Sequence, residues 1–418
     1  MEHRQININR WLSIAIANFS VVAIAGVILR YKMNFPLAFL NQKNLLHGHS
    51  HFAFTGWITL ALMTLMTGYL LKRGLQTNYR KYHLLLFANV ITAYGMLFTF
   101  IVQGYGLFSI TFSTLSIFVS YVFIYFYWCD LGKLNDGGDV HSWFKAALIL
   151  LGISSAGAFT LAFLMAAQIK IQEYYFSAIY FFLHFQYNGW FIFASFGLLF
   201  SYLAAKDIYM LKKLSKKLWW ILGVSVAPTY LLSILWLKIP PYLYWTAAIS
   251  GIFQLAAVIY LIRHYKVIKD CISSYGRATK YLWLLAFLCV ILKIILQALS
   301  AIPYLGNFAF GLRPVVVAYL HLCFLGIVSF FILGSIDRLL PPHHKLHKLG
   351  VILFVSGVIA QEMLLMSQAA MIIMQSFIPQ LNNLLFATAG IIGTGLILMV
   401  WKSIGTKKPT GDITTVGL

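Results

Sequence analysis

A chain that sets twelve apolar runs of about twenty residues one after another has few folds open to it, because backbone immersed in hydrocarbon must satisfy its own hydrogen bonds. The runs fall at about 11–31, 45–71, 83–103, 107–129, 144–168, 174–204, 218–237, 241–262, 281–301, 314–336, 349–374 and 381–401. Such runs form helices, and the connections between them leave no room for a soluble domain. The expectation is an all-α polytopic membrane bundle of twelve transmembrane helices, a single domain over 1–418. Hydrophobic residues make up 61% of the sequence and charged residues 10%, so the bilayer is the surrounding medium. The formal net charge of +21 does not point to nucleic acid, because the basic residues sit between the spans. Most lie on the side of the N-terminus; only Arg30, Lys32, Lys43, Lys170, Lys238 and Arg313 lie in connections on the other. By the positive-inside rule both termini are cytoplasmic, in a multi-pass protein of the cytoplasmic membrane. Met1 to Arg10 is polar and runs into the first span with no small-residue cleavage site, which predicts a retained first helix. Cys129, Cys271, Cys289 and Cys323 form no Cys-x-x-Cys, which argues against a disulfide framework, a thiolate metal site or covalently attached haem.

One pattern returns along the chain. His51-Phe52-Ala53-Phe54-Thr55-Gly56-Trp57 reappears as His184-Phe185-Gln186-Tyr187-Asn188-Gly189-Trp190, and more loosely as His321-Leu322-Cys323-Phe324-Leu325-Gly326-Ile327. Each copy is a histidine in an apolar run followed five residues later by glycine, and the nearly even spacing predicts three related thirds, about 1–130, 131–270 and 271–418. The copies lie on the second, sixth and tenth spans, all running from outside to inside. At ~1.5 Å per residue the three histidines sit ~10–15 Å below the outer ends of their helices, in one layer where the imidazoles can meet. Histidine in hydrocarbon is costly and marks function by default, and neutral imidazole suits iron, copper and zinc. The competing reading is that the histidine bonds a neighbouring carbonyl and the glycine only lets helices approach closely. At the head of the second span, Leu46-His47-Gly48-His49-Ser50-His51 offers three imidazoles. Positions 47 and 51 share a helical face and 49 points away, so at most two can serve one site.

With these residues placed, the chain resembles the haem-copper oxidase subunit I superfamily, which includes the nitric oxide reductases. The resemblance implies twelve helices in three arcs of four around a pseudo-threefold axis. It implies a low-spin b-type haem between the second and tenth helices, ligated by one of His47, His49 or His51 and by His321. It further implies copper or another non-haem metal at His184. Tyr319 stands where the family has the histidine of its oxygen-reducing haem, and the seventh span, 218–237, contains no histidine. Tyr187 follows His184 at three residues rather than the four of the cross-linked His-Tyr pair in some members. The usual binuclear centre cannot be assembled, and ordinary oxygen reduction is not expected. A haem with two imidazole ligands has no open site and suits electron transfer, with cytochrome c or quinol as donor and partner subunits implied by the family. Arg313, where the tenth span begins, and Arg30, Lys32 and Lys43, flanking the loop into the second, are the cations nearest the propionates. His49-Ser50-His51 also resembles the His-x-His of the NnrS family of haem- and copper-associated membrane proteins linked to nitric oxide stress. A different class, a haem-free transporter or assembly protein handling copper or protons, fits the same histidines.

Further polar groups lie in the spans. Lys293 has Gln297 one turn later, and Glu362 on the eleventh span is the expected partner of Lys293. Lys293, Gln297, Glu362 and Tyr187 are therefore the proton-path candidates, with Gln186 and Asn188 beside His184 in the same cavity or in interhelical hydrogen bonds. His343-His344-Lys345-Leu346-His347-Lys348, after Pro341-Pro342, reads as a solvated basic loop at anionic headgroups. His83, His141 and His264 at cytoplasmic helix ends need no special role.

Overall fold

A computed structural model describes residues 6–75, 79–134, 138–204, 209–340, 345–376 and 378–404. Every described element is helical. Ten helices are long and apolar enough to cross a membrane, and the bent pair Tyr209–Val226 and Pro228–Ile234 makes an eleventh. The sixth expected span is a helical run from Gln172 to Leu203.

The long helices are α1 (Ile8–Asn34), α2 (Gln42–Lys72), α3 (Arg80–Gln103), α4 (Leu107–Gly132) and α5 (Asp139–Ala166). They continue with α6 (172–203), α7 (Tyr209–Val226 with its 3-10 extension), α8 (Pro241–Arg263), α9 (Arg277–Leu299), α10 (Arg313–Leu339), α11 (Lys348–Ile373) and α12 (Leu381–Ile404). Local chemistry sets several of the ends. Asn7 and Asn41 cap α1 and α2 by accepting from backbone N–H groups of the first turn. Pro228 cannot continue the α-helical ladder, and the axis of α7 turns there by 51°. Consecutive helices pack side by side, α1 closes the ring against α12, and α2, α6 and α10 touch one another in the middle.

The three central helices share a departure from α geometry. Each passes through a π-helical segment directly after its repeated histidine: Ala53–Thr59 in α2, Phe185–Phe191 in α6 and Leu322–Ser329 in α10. A π segment accommodates one extra residue per turn and loosens the carbonyls from their usual donors. In α2 two buried asparagines brace the slip, Asn18 Nδ2 donating to Gly56 O at 2.8 Å and Asn89 Nδ2 to Thr55 O at 2.9 Å. The repeated glycines serve close approach: a Cβ on Gly189 would lie 2.7 Å from Leu150 Cβ, and one on Gly326 2.9 Å from Cys289 Sγ.

The π segments meet on an axis. Phe54, Phe191 and Phe324 form a triangle with ring centroids 4.8, 5.6 and 6.2 Å apart. Just beyond it, the residue after each glycine reaches for the third residue after the glycine of the next helix. Trp57 Nε1 donates to Ser329 Oγ at 2.9 Å, and Trp190 Nε1 to Thr59 Oγ1 at 3.4 Å. On the third side the corresponding residues are Ile327 and Ile192, which line one apolar crevice. Two edges of this pseudo-threefold hub are thus polar and the third is greasy.

Near the ends of α4 and α10 that close their spans, buried carboxylates tie helices together. Asp130 on α4 accepts from Tyr82 at 2.8 Å and pairs with Lys81 and Lys133 at 2.5 and 2.8 Å. Asp337 on α10 accepts from Thr279 of α9 at 2.9 Å and from the Leu346 backbone at 3.2 Å. In the basic loop, His347 caps α11 by accepting from Gly350 N at 3.4 Å, and Lys345 donates to Asp337 O. His343 and His344 lie outside the described residues.

Candidate functional site

The α-helical start of α2, Gln42–Phe52, keeps the expected phase: His47 and His51 on one face and His49 on another. His47 and His51 turn towards α3 and the loop that follows it. The His51 ring stacks on Phe100 at 4.4 Å with an interplanar angle of 9°, and His47 meets the edge of Tyr105 at 4.8 Å. His47 Nε2 is buried there with no partner among the described residues.

His49 turns inward. Its Nδ1 lies 3.1 Å from Val22 O on α1, and its Cε1 fits where Gly26 leaves room, 3.4 Å from the place of a Cβ. On the far side His49 lies within electrostatic range of His321. His321 on α10 places its own Nδ1 3.1 Å from Glu362 Oε1 on α11. Both rings therefore commit Nδ1 to an acceptor, and among the described residues neither Nε2 has a protein partner. A histidine that ligates a metal is typically held this way, its second nitrogen donating to a carbonyl or carboxylate that fixes tautomer and ring orientation. The side chains of His321 and Glu362 are 28% and 22% exposed although they lie within spans, where bare hydrocarbon would be costly for a polar pair.

Two guanidinium groups stand near the outer ends of these helices. Arg30, on α1, lies within electrostatic range of Glu362 and of Arg313, the first residue of α10. With the Gln361 amide turned to donate to Leu385 O and Thr388 Oγ1, its oxygen accepts from Arg30 Nη2 at 3.2 Å. Two cations near each other, one of them beside a carboxylate, suit a dianionic group such as the propionates of a porphyrin. The donor set of His49, His321, Arg30 and Arg313 thus fits a bis-imidazole haem.

The three repeated histidines do not share this site. His51 faces α3, and His184 belongs to a second, separate network. It is fully buried, its Nε2 2.7 Å from Val226 O and its Nδ1 3.0 Å from Asn188 Nδ2 and 3.4 Å from Ser233 Oγ. The non-haem metal expected at His184 does not fit this geometry, because both ring nitrogens are already engaged. Among the described residues no group of three or more His, Cys, Asp or Glu side chains is placed to hold a metal ion. For His184 the bland alternative, a bond to a neighbouring carbonyl, is what the fold contains.

The expected Lys293–Glu362 pair does not form either. Lys293 donates to Asn188 Oδ1 and to Gln297 Oε1, while Glu362 is taken by His321. The physical reason is that α10 packs against α9 on one side and α11 on the other, and so stands between the two residues. Tyr187 lies within interaction range of Ser233 and Tyr319, with the tyrosine rings 6.1 Å apart. Tyr319, Tyr187, Ser233, His184, Asn188, Lys293 and Gln297 form a buried polar chain across α10, α6, α7 and α9. Gln186 stands apart, donating to Ser154 Oγ at 3.0 Å.

A solved cryo-electron-microscopy structure of a heme-copper terminal oxidase dimer is similar to this chain with a TM-score of 0.67 and 9% sequence identity, covering 95% of this chain and 82% of that one. The fold is that of a haem-copper oxidase subunit. At 9% identity the likeness is one of architecture and carries no activity with it. No protein-family model matches the sequence, and no curated protein matches it. The chain is a multi-pass membrane protein with this oxidase-like helical bundle.

Proposed function

We propose that the chain is an integral membrane haem protein of the cytoplasmic membrane, with both termini inside, that holds one low-spin b-type haem between α2 and α10. His49 and His321 would be the axial ligands, with Arg30 and Arg313 at the propionates. The observation that carries this reading is a pair of imidazoles within electrostatic range of each other, each with Nδ1 against a protein acceptor and Nε2 without a protein partner among the described residues. A bound haem would supply one-electron chemistry, its iron closed to substrate by two imidazoles. The chain's own residues would orient the two rings through Val22 O and Glu362 and neutralise the propionates through Arg30 and Arg313. The reading includes a role in respiratory electron transfer or nitrogen-oxide chemistry, with quinol or cytochrome c as donor, as the family resemblance implies.

The test is the visible spectrum of the purified protein together with a pyridine haemochrome assay. Soret and alpha bands in the reduced-minus-oxidised difference are expected, lost in His49→Ala and His321→Ala and kept in His51→Ala and His264→Ala. A colourless wild-type protein would defeat the proposal and leave a haem-free transporter or assembly protein for copper or protons.

A further inference from the structure

The imidazoles of His49 and His321 are held by unlike acceptors. His49 Nδ1 lies against a neutral backbone carbonyl, Val22 O, at 3.1 Å, and His321 Nδ1 against a carboxylate, Glu362 Oε1, also at 3.1 Å. An imidazole N–H that donates to a carboxylate gains electron density and becomes the more basic ligand at its other nitrogen. A more basic axial ligand favours the ferric over the ferrous ion, and hydrogen bonding around the ligands is among the protein's means of setting a haem potential. Glu362 is also the one carboxylate near this end of the bundle that interacts with both His321 and Arg30. It lies on α11, which supplies no proposed ligand, so its hydrogen bond would reach a bound iron through His321.

We infer that Glu362 is a positioning residue that acts through His321 to lower the reduction potential of a haem held between α2 and α10, making that haem a stronger electron donor than a carbonyl-backed pair would be. The inference rests on the haem assignment above. The effect is that of a fixed negative charge and of the hydrogen bond that holds the ring.

The experiment is an equilibrium redox titration of the full-length protein, read at the alpha band, with the low-spin ferric electron paramagnetic resonance spectrum as second readout. Glu362→Gln keeps size and hydrogen-bonding capacity but removes the charge. It should retain haem, move the midpoint potential in the positive direction and alter the ferric g anisotropy. His264→Ala, remote from the site, should move neither. If Glu362→Gln loses its haem, Glu362→Asp, which restores the charge, must recover it while Glu362→Asn does not. A Glu362→Gln protein with full haem and wild-type midpoint and g values would overturn the inference, as would failure of Glu362→Asp to rescue. Either result would leave the haem assignment standing, whereas a wild-type protein without haem would fail that assignment first.

Discussion

Trp57 of α2 donates its indole N–H to Ser329 of α10 at 2.9 Å, both residues almost wholly buried at the level of the π segments. The bond ties together the two helices that carry His49 and His321. Ser329→Ala would leave the indole nitrogen buried and unpaired, at a cost of about 1–3 kcal/mol. Trp57→Phe removes the donor as well, so in the double variant the loss should be less than the sum of the two singles. Thermal unfolding of the four proteins in detergent gives the coupling; strict additivity would mean the bond contributes nothing.

The Arg30–Arg313 pair makes a prediction of its own. If the two guanidiniums receive an anionic edge, Arg30→Gln and Arg313→Gln should each weaken haem retention by about 1.5–3 kcal/mol, roughly tenfold or more in dissociation constant. The spectrum of the fraction still loaded should not change, since the axial ligands are untouched. Measured haem loss to an acceptor protein at the wild-type rate in both variants would exclude them from the site.

His184→Leu should behave in the opposite way. It leaves the buried Asn188 Nδ2 without its acceptor, while Val226 O keeps Thr229 Oγ1 at 3.2 Å, and should lower the unfolding temperature, because a buried group left unpaired costs about 1–3 kcal/mol. Haem content should stay at the wild-type level. Loss of haem with normal stability would show that His184 is a ligand after all.

The seam between α11 and α12 is a tight backbone contact. A Cβ on Gly395 would stand 2.7 Å from Phe354 N, and one on Gly350 2.6 Å from Gly395 O. Gly395→Ala should therefore destabilise by about 1–3 kcal/mol through overpacking. Because α11 carries Glu362, the same change should also weaken the His321–Glu362 contact. Proteolysis or thermal melting together with the redox midpoint would register both effects.

Most of the spans were readable from hydropathy alone, ten helices and one bent pair being long and apolar enough to cross a membrane, since length and apolarity are set by the bilayer. The phase of His47, His49 and His51 was also readable, because 42–52 winds as a regular α-helix. Which face looks inward was not, as α10, which brings His321 towards His49, is distant in sequence. The same ignorance of neighbours lies behind Lys293 and Glu362, two charged residues in spans that α10 keeps apart. The π segments have no composition signature, but the two asparagines buried in adjacent spans, Asn18 and Asn89, were a trace of them. The motif also extended further than its histidine and glycine suggested. Thr59 and Ser329, three residues beyond the glycine in two copies, accept from the hub tryptophans.

Each π segment sets the outer half of its helix about one residue, or roughly 100°, out of step with the inner half. The half that bears the imidazoles and the half that packs the far side of the bundle are therefore phased independently. Deleting a single residue from 53–59 would restore a seamless rod, yet it would swing His49 off Val22 and bring a neighbouring side chain to His321. In this architecture a more regular helix would be the damaged one.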